Sequence, residues 1–356
     1  MNKYTFENRR EALRIELLRR NLDAIIVSHA ANRYYLSGFE LHDPQCNETA
    51  GWLVITADGR QRLMTDPRYE DAARRLLPAE DVFVYSGKRW DAIIGCLKGL
   101  DVKAFAFEPR AMSIFEHEKL HDQVTLIPAE NVVEKLRIIK DADEIERMKA
   151  SCALNHRLMA HLESQLKPGR TELEIAWEIE RFFRENGASE LAFDSIVGVG
   201  PNAALPHARP DTTTLRENEL VLVDTGCRYQ GYNSDQTRTF WVGENPSDRF
   251  KATKDLVVQA QQAAIDILRP GLTFVEAYRA ALAVFEKAAA ADRFTHGLGH
   301  GIGLETHEPP SLSAQADGVL QPGMVVTVEP GLYYPDWGGI RWEYMALITE
   351  NGCEIM

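Results

Sequence analysis

The chain has 356 residues, of which 45% are hydrophobic and 26% are charged, and its formal net charge at pH 7 is -13. This length exceeds what one hydrophobic core usually organises, so two domains are expected, and the composition is typical of a globular protein. The negative charge argues against nucleic acid or an anionic membrane surface as a partner, because either would need a basic face.

The sequence indicates neither a secretory signal nor a membrane span. Residues 1–21 lack the apolar stretch of a signal peptide, and no run in the chain approaches about 18 consecutive apolar residues. Free thiols in a reducing compartment are the simplest interpretation of the cysteines, so we expect a cytoplasmic protein. The cysteines are too scattered for a disulfide framework or a zinc site, and their positions are 46, 96, 152, 227 and 353.

The first part of the chain alternates helical and strand patterns. Residues 9–20 have the pattern of an amphipathic helix, and residues 70–77 and 90–100 have helical patterns between strands. Alternation of this kind predicts an α/β domain with a mixed or parallel sheet, which we assign to residues 1–133. Short apolar runs predict strands at residues 23–28, 51–57, 62–65, 81–86, 104–109 and 124–129.

From about residue 134 the pattern changes to long helices that are followed by hairpins. Residues 141–166 form a long amphipathic pattern that ends at Pro168-Gly169. Thr171 and Glu174 then form an S/T-x-x-E capping box, which predicts the beginning of another helix. We assign residues 134–356 to a second domain.

The same succession of features returns later in this second domain. Residues 250–268 run into Pro270-Gly271, and Thr273 and Glu276 repeat the capping box. Capping boxes and Pro-Gly pairs are common, but matched features in the same order favour an internal repeat over coincidence. We therefore expect two related halves around a pseudo-twofold axis, each with helices followed by a largely antiparallel sheet.

Four carboxylates occupy matched places in these two halves. An apolar strand ends in Asp224 in the first half and in Glu329 in the second, and a further acid follows each strand, Asp235 or Glu343. A hairpin turn near Gln230 would place the two aspartates across from each other on neighbouring strands, and the two glutamates could meet in the same way. One buried acid alone would be explained by a salt bridge. Four acids that converge repel one another, and divalent cations remove that repulsion.

His300 adds a nitrogen ligand to this set. It lies between Gly299 and Gly301, in a segment that also contains His296 and His307, and the glycines let the backbone bring an imidazole close to a crowded centre. Oxygen ligands with one imidazole suit Mn, Co, Zn or Fe, and four carboxylates supply more charge than one ion needs. A pair of ions activates water and polarises a carbonyl, as amide hydrolysis requires. We predict two divalent metal ions held by Asp224, Asp235, His300, Glu329 and Glu343.

At these residues the sequence resembles the pita-bread metallopeptidases, the family of prolidase, aminopeptidase P and methionine aminopeptidase. The resemblance covers roughly residues 135–350 and includes the order Asp, Asp, His, Glu, Glu and the blocks LPHARP, DTGCRYQGYNSDQTRT, HGLGHGIGLETHEPP and TVEPGLYYPDWGGIRWE. The segment LDAIIVSHAANRYYLSGF resembles the creatinase-type N-terminal domain of Xaa-Pro peptidases. The resemblance implies an α+β pita-bread catalytic domain after a creatinase-type domain. It also implies dinuclear metal-dependent hydrolysis of Xaa-Pro dipeptides or short Xaa-Pro peptides.

The resemblance also implies roles for residues outside the ligand set. His207 and His307 match two histidines that contact the substrate and stabilise the reaction intermediate, and His296 matches a further histidine that lines the pocket. Glu329 would be both a ligand and the group that carries a proton from water to the leaving nitrogen. Arg341 matches an arginine near the site, where it either contacts the substrate or only holds a carboxylate ligand.

Several alternatives remain open at this point. Tyr344 stands where relatives often have an acidic residue, which puts the surroundings of Glu343 in doubt. The chain could hydrolyse another small amide on the same fold, or be an inactive peptide-binding relative, although all five ligand positions are present. The resemblance implies a homodimer in which residues 39–52 lie near the subunit interface, with a plain surface loop as the alternative.

Overall fold

The computed structural model describes residues 3–43, 45 and 48–356. The chain divides into two units, Met1–Arg137 and Ile138–Met356, and the boundary that the sequence predicts between residues 133 and 134 stays a prediction. Pro44, Cys46 and Asn47, which belong to the predicted interface segment 39–52, lie outside the described residues.

The first unit contains the mixed sheet that the alternating pattern predicts. Its strands are β1 (Ala24–Val27), β2 (Gly51–Thr56), β3 (Gln61–Thr65), β4 (Val82–Val84), β5 (Phe105–Phe107) and β6 (Leu126–Pro128). They lie in the order β4-β3-β2-β1-β5-β6, and β1 runs antiparallel to β2 and parallel to β5. Both β1 and β2 are buried along their whole length, which is why they are continuous apolar runs.

Helices connect and cover these strands. They are α1 (Lys3–Arg19), α2 (Ala30–Ser37), α3 (Glu70–Leu76), α4 (Arg89–Gly99), α5 (Ile114–Leu120) and α6 (Glu134–Arg137). The sequence patterns predict α1, α3 and α4 but not α2 and α5. These two helices have 8 and 7 residues, so each offers only about two turns of helical period; α3, which the pattern does predict, is equally short.

The helices of the second unit confirm the repeated capping boxes. These helices are α7 (Ala142–Gln165), α8 (Glu172–Glu185), α9 (Asp248–Ile265) and α10 (Phe274–Lys287). Thr171 and Glu174 cap α8 reciprocally, and Thr273 and Glu276 cap α10 in the same way. Each box satisfies backbone donors that a helix start leaves without partners.

The strands of the second unit pair in antiparallel fashion wherever pairing occurs among the described residues. They are β7 (Glu190–Leu191), β8 (Ile196–Val199), β9 (Glu219–Thr225), β10 (Cys227–Tyr229), β11 (Tyr232–Asn233), β12 (Gln236–Val242), β13 (Gly299–Gly301), β14 (Glu308–Leu312), β15 (Val325–Val328), β16 (Gly331–Tyr334), β17 (Gly338–Arg341), β18 (Tyr344–Ile348) and β19 (Cys353–Ile355). The largely antiparallel arrangement predicted for this unit is therefore confirmed.

Each half of the second unit contains one long hairpin with an interruption. In the first, β9 pairs with β12, and β10 pairs with β11 around Gln230-Gly231. The φ angles of this turn are 51° and 89°, and a two-residue type I′ turn needs two positive values. In the second, β15 pairs with β18, and β16 pairs with β17. The matched hairpins confirm the internal repeat.

Two further expectations concern membranes and thiols. None of the helices in the described ranges combines the length and the apolar character that crossing a bilayer requires. Cys96, Cys152, Cys227 and Cys353 are free thiols, as their scattered positions predict.

Candidate metal centre

The four predicted carboxylates lie beside the interruptions of the two hairpins. Asp224 belongs to β9 and Asp235 directly precedes β12, whereas Glu329 follows β15 and Glu343 directly precedes β18. A local break in strand pairing re-aims side chains away from the regular ladder. The interruptions therefore allow side chains from both strands of each hairpin to turn towards one centre.

The register of the first hairpin corrects one expectation. Thr237, and not Asp235, lies directly opposite Asp224, so the two aspartates are diagonal neighbours. The two-residue turn at Gln230-Gly231 sets this register, because each step away from the turn pairs one residue on each strand. Asp235 and Thr237 are two residues apart, so both side chains still lie on one face of the strand.

The five predicted ligands converge on one centre. Carboxylate oxygens of Asp224, Asp235 and Glu343 all lie within 4.8 Å of one another. The Nε2 atom of His300 lies 3.2 Å from Glu329 Oε1 and 3.8 Å from Asp235 Oδ2. The ligand set inferred from sequence order is thus also a set of neighbours in space.

Buried oxygens at this centre lack hydrogen-bond donors. Asp224 Oδ1, Asp235 Oδ1 and Glu343 Oε1 are buried, and none of them has a hydrogen-bond partner among the described residues. Such an atom costs about 1–3 kcal/mol, and more when it is charged. Burial, together with the neighbouring acids, raises the pKa of Asp235 and of Glu343 well above the usual range. The donor set therefore fits divalent cations, which would satisfy these oxygens and their charge.

Threonine hydroxyls hold the other oxygens of two candidate ligands. Thr237 Oγ1 donates to Glu343 Oε2 at 2.7 Å, and Thr327 Oγ1 donates to Glu329 Oε1 at 2.9 Å. Bonds of this kind orient a ligand for its metal. Neither threonine was among the site residues that the sequence predicted. Strand periodicity could have found them, because Thr237 follows Asp235 by two residues and Thr327 precedes Glu329 by two.

Arg341 is bound to a candidate ligand. Its side chain is buried, and its Nη2 donates to Asp224 Oδ2 at 2.6 Å while its Nη1 donates to the Tyr333 hydroxyl at 2.7 Å. The same hydroxyl lies 2.8 Å from His296 Nε2. Burial raises the pKa of Tyr333 to about 12, so the hydroxyl keeps its proton. These contacts favour the role of holding Asp224 over direct contact with a substrate.

Close backbone packing places His300. A Cβ atom at Gly299 would lie 2.0 Å from the carbonyl oxygen of Thr327, and one at Gly301 would lie 2.2 Å from that of Pro309. Neither position can hold a side chain without backbone movement. The Nδ1 atom of His300 lies 3.0 Å from the Gly301 carbonyl oxygen, which fixes the ring and leaves Nε2 directed at the carboxylates.

A cavity of about 990 Å³ opens onto this centre, and His207, His296 and His307 line it together with the metal-ligand candidates. The ring centroid of His307 lies 4.1 Å from that of His300. Burial lowers the pKa of His296 and of His307, so both rings are neutral near pH 7 and can donate one hydrogen bond each. His207 is exposed in the segment that follows β8.

Comparison with known proteins identifies the second unit. Residues 146–350 match the family model described as Metallopeptidase family M24. The chain belongs to this family. Residues 9–139 match the Creatinase/Prolidase N-terminal domain. Family M24 membership confirms the predicted fold and makes the chain a peptidase that depends on divalent metal ions.

Proteins similar over nearly the whole chain support this membership. The Xaa-Pro dipeptidase of Pyrococcus horikoshii is 32% identical, over 95% of this chain and 93% of that protein. Among solved structures, the Xaa-Pro dipeptidase from Bacillus anthracis has a TM-score of 0.92 and 33% identity, covering 98% of this chain and 97% of that one. The X-Pro aminopeptidase from Thermotoga maritima has a TM-score of 0.83 and 31% identity, covering 94% and 95%.

Proposed function

We propose that this family M24 peptidase hydrolyses Xaa-Pro dipeptides with two divalent metal ions. The observation that carries the proposal is the convergence of the predicted ligands around buried oxygens without donors. The names of the similar dipeptidases support the substrate class. The proposed ligands are Asp224, Asp235, His300, Glu329 and Glu343.

Charge balance supports two ions. The four carboxylates carry four negative charges when ionised, and Arg341 offsets one of them through its contact with Asp224. One divalent ion would leave a net negative charge in a buried site, which is unfavourable. Two ions leave the site positive, as electrophilic catalysis at a carbonyl requires. Mn, Co, Zn and Fe all suit this donor set.

The proposed mechanism assigns proton transfer to Glu329. Burial opposes ionisation, but the hydrogen bond with His300 lowers the pKa of Glu329 to about 2. In the loaded centre His300 Nε2 would bind a cation, whose charge would itself keep this carboxylate ionised, so that Oε2 can take a proton from the attacking water while Thr327 binds Oε1. It then delivers this proton to the leaving nitrogen of proline. When bound, the metal ions would activate the water and polarise the scissile carbonyl.

His207 and His307 would bind the substrate and stabilise the negative charge that develops on its carbonyl oxygen. A neutral His307 can donate one ring N–H to this oxygen, and the exposed His207 lines the same cavity. Donors placed where charge develops lower the barrier of acyl transfer. His296, with its Nε2 bound to Tyr333, would line the substrate pocket.

Arg209 favours dipeptides over longer peptides. It is exposed, lines the cavity, and makes neither a hydrogen bond nor an ion pair with its side chain in the described part of the chain. The other arginine of the cavity, Arg341, is already bound to Asp224. In an Xaa-Pro dipeptide the proline carries a free carboxylate, which a guanidinium binds with two hydrogen bonds. In a longer peptide an uncharged amide takes that place.

A reconstitution assay tests this proposal. The metal-free protein is loaded with Mn, Co, Zn or Fe(II) and given Ala-Pro, Ala-Pro-Ala and Ala-Ala, and amino acid release is measured. Hydrolysis of Ala-Pro ahead of the other two supports a dipeptidase, whereas preference for Ala-Pro-Ala indicates an aminopeptidase. If no metal supports cleavage of either proline peptide, the proposed function is wrong.

We also propose a cytoplasmic homodimer that uses manganese. The resemblance to Xaa-Pro peptidases supports the dimer, in which residues 39–52 would lie near the interface. Sedimentation of the purified chain tests the dimer, and metal analysis of protein purified without added metal tests manganese. A monomer at micromolar concentration would contradict the first expectation, and another metal in the isolated protein would contradict the second.

A further inference from the structure

Glu172 is a fully buried carboxylate in the first turn of α8. Its Oε1 accepts hydrogen bonds from the Val199 backbone N–H at 2.8 Å and from Asn202 Nδ2 at 2.9 Å, and its Oε2 accepts one from the Asp211 backbone N–H at 3.0 Å. It forms no ion pair with a described residue. Three N–H donors thus replace the water that this carboxylate loses on burial.

These donors lie at the two ends of one segment, residues 200–210, here named the His207 loop. Val199 ends β8 immediately before the loop, and Asp211 follows directly after it. The beginning of the loop also packs against β17, where a Cβ atom at Gly339 would lie 2.1 Å from the Ala203 carbonyl oxygen. The end of the loop is bound to the first turn of α8 by the Asp211 N–H bond to the Glu172 carboxylate, and by backbone bonds from Leu173 N–H to the Asp211 carbonyl oxygen and from Glu172 N–H to that of Thr213, both at 3.1 Å.

The His207 loop determines where the His207 imidazole stands. No hydrogen bond or ring contact holds this imidazole among the described residues. By contrast, Tyr333 holds His296, and the ring of His307 contacts that of His300. A side chain that no other side chain holds takes its position from its backbone. The hydrogen bonds that fix the backbone of the loop therefore determine how well His207 is oriented.

The fold itself does not require a carboxylate at the start of this helix. In the second half of the unit, α10 begins with the same capping box, and Phe274 occupies the position equivalent to Glu172. The residue before each helix also forms a matching isolated β-bridge: Thr171 pairs with Thr214, and Thr273 pairs with Val319. Phe274 is buried in an apolar core. Burying a carboxylate costs more free energy than burying a phenylalanine side chain. The presence of Glu172 in one half only therefore indicates that the His207 loop needs its hydrogen bonds.

We propose that Glu172 is a positioning residue, which binds both ends of the His207 loop and thereby orients His207 towards the substrate carbonyl. This inference rests on the proposed role of His207 in peptide hydrolysis. Glu172 touches neither substrate nor metal ligands, and it acts only through the loop.

Glu172→Gln is the central test. Glutamine has one acceptor oxygen, so its NH2 group must face the donors at one end of the loop and the side-chain hydrogen bonding there is lost, while the backbone bonds between α8 and residues 211 and 213 remain. We expect kcat/KM for Ala-Pro to fall about 10- to 100-fold, mainly through kcat, because misplacement weakens a contact of the transition state. Glu174→Gln is the matched control, because Glu174 lies in the same helix turn, is exposed, and its side chain hydrogen-bonds only with Thr171, in a capping box that glutamine also supports. Its kinetics should match those of the wild type.

A double-mutant cycle separates positioning from general damage. If Glu172 acts through His207, then Glu172→Gln should lower kcat/KM no further in a chain that already carries His207→Ala. Losses that multiply in the double variant would overturn the proposal. Asn202→Ala provides a second variant if Glu172→Gln fails to fold, because it removes one donor and keeps the carboxylate, and we expect a smaller effect in the same direction.

Hydrogen exchange supplies a readout that does not depend on activity. Amides of residues 200–213 should exchange faster in Glu172→Gln, and in Asn202→Ala, than in the wild type and in Glu174→Gln, with metal content unchanged. Unchanged exchange in this segment would overturn the proposal even if activity fell. If the wild type cleaves no Xaa-Pro peptide, the proposed function fails, whereas the exchange experiment still decides whether Glu172 holds the loop.

Discussion

Replacing Thr237 by valine removes a buried hydroxyl that serves two charged neighbours at the metal centre. Thr237 is fully buried, and its Oγ1 donates to Glu343 Oε2 at 2.7 Å and accepts from Arg341 Nε at 3.0 Å. Valine has nearly the same shape and is equally suited to β12, so packing and strand propensity change little. The substitution therefore isolates the two hydrogen bonds.

The expected magnitude follows from the charge of both partners. A hydrogen bond to a charged group contributes about 1.5–3 kcal/mol, and both partners here are buried. The two bonds share one hydroxyl and their contributions are not additive, so we expect the free energy of unfolding of the metal-loaded protein to fall by about 2–4 kcal/mol, less than the sum of two separate bonds. Because Glu343 loses the bond that orients it, metal affinity should fall about 10- to 100-fold.

Calorimetric melting and metal titration check this prediction, with Thr253→Val as the control. Thr253 is also buried, on α9, but its hydroxyl has no hydrogen-bond partner among the described residues. Thr253→Val should leave stability and metal affinity close to those of the wild type. Equal effects of the two substitutions would show that the Thr237 hydroxyl does not orient Glu343, and would refute the reasoning.

Three further predictions concern the ligands and the cavity. Asp235→Ala should abolish hydrolysis and lower metal content while the circular dichroism spectrum is kept; retained activity would contradict the ligand assignment. In the metal-free protein, burial raises the pKa of Asp235 and Glu343. Their contribution to the free energy of unfolding is therefore complete below the ordinary carboxyl pKa, where both are protonated, and it is lost as pH rises through the raised pKa values. The difference in melting temperature between loaded and metal-free protein should therefore widen from pH 5 to pH 8, and a constant difference in calorimetry would argue against this coupling. Arg209→Ala should raise KM for Ala-Pro about 10-fold and leave KM for Ala-Pro amide unchanged; equal KM changes for the two substrates would exclude carboxylate binding.

The order and spacing of residues in the sequence predict most of the candidate metal centre. Asp224 and Glu329 end apolar strands, and an acid at such a place needs a partner or a metal. The repeated capping boxes relate the two halves through residue type and spacing alone. His300 stood out because glycine on both sides is unusual unless the backbone must approach something closely.

Other parts of the site had weaker signals in the sequence. Thr237 and Thr327 look like ordinary strand residues, and only their place on the same face as Asp235 and Glu329 marks them. Tyr333 is one of many aromatic residues, and its link between Arg341 and His296 depends on three segments meeting. The facing arrangement expected for Asp224 and Asp235 was wrong because register was inferred from the acids rather than counted from the turn.

The sequence by itself predicted the candidate ligand set, the repeat and the two-domain organisation, because these depend on residue type, spacing and local periodicity. The tertiary structure alone decided which oxygens remain without donors and which hydroxyls hold the others. It alone placed Glu172 beneath the His207 loop, since Glu172 and Asp211 are 39 positions apart in the chain. Hydrogen bonds between distant segments depend on how the strands and helices pack, and packing leaves no periodic pattern in the sequence.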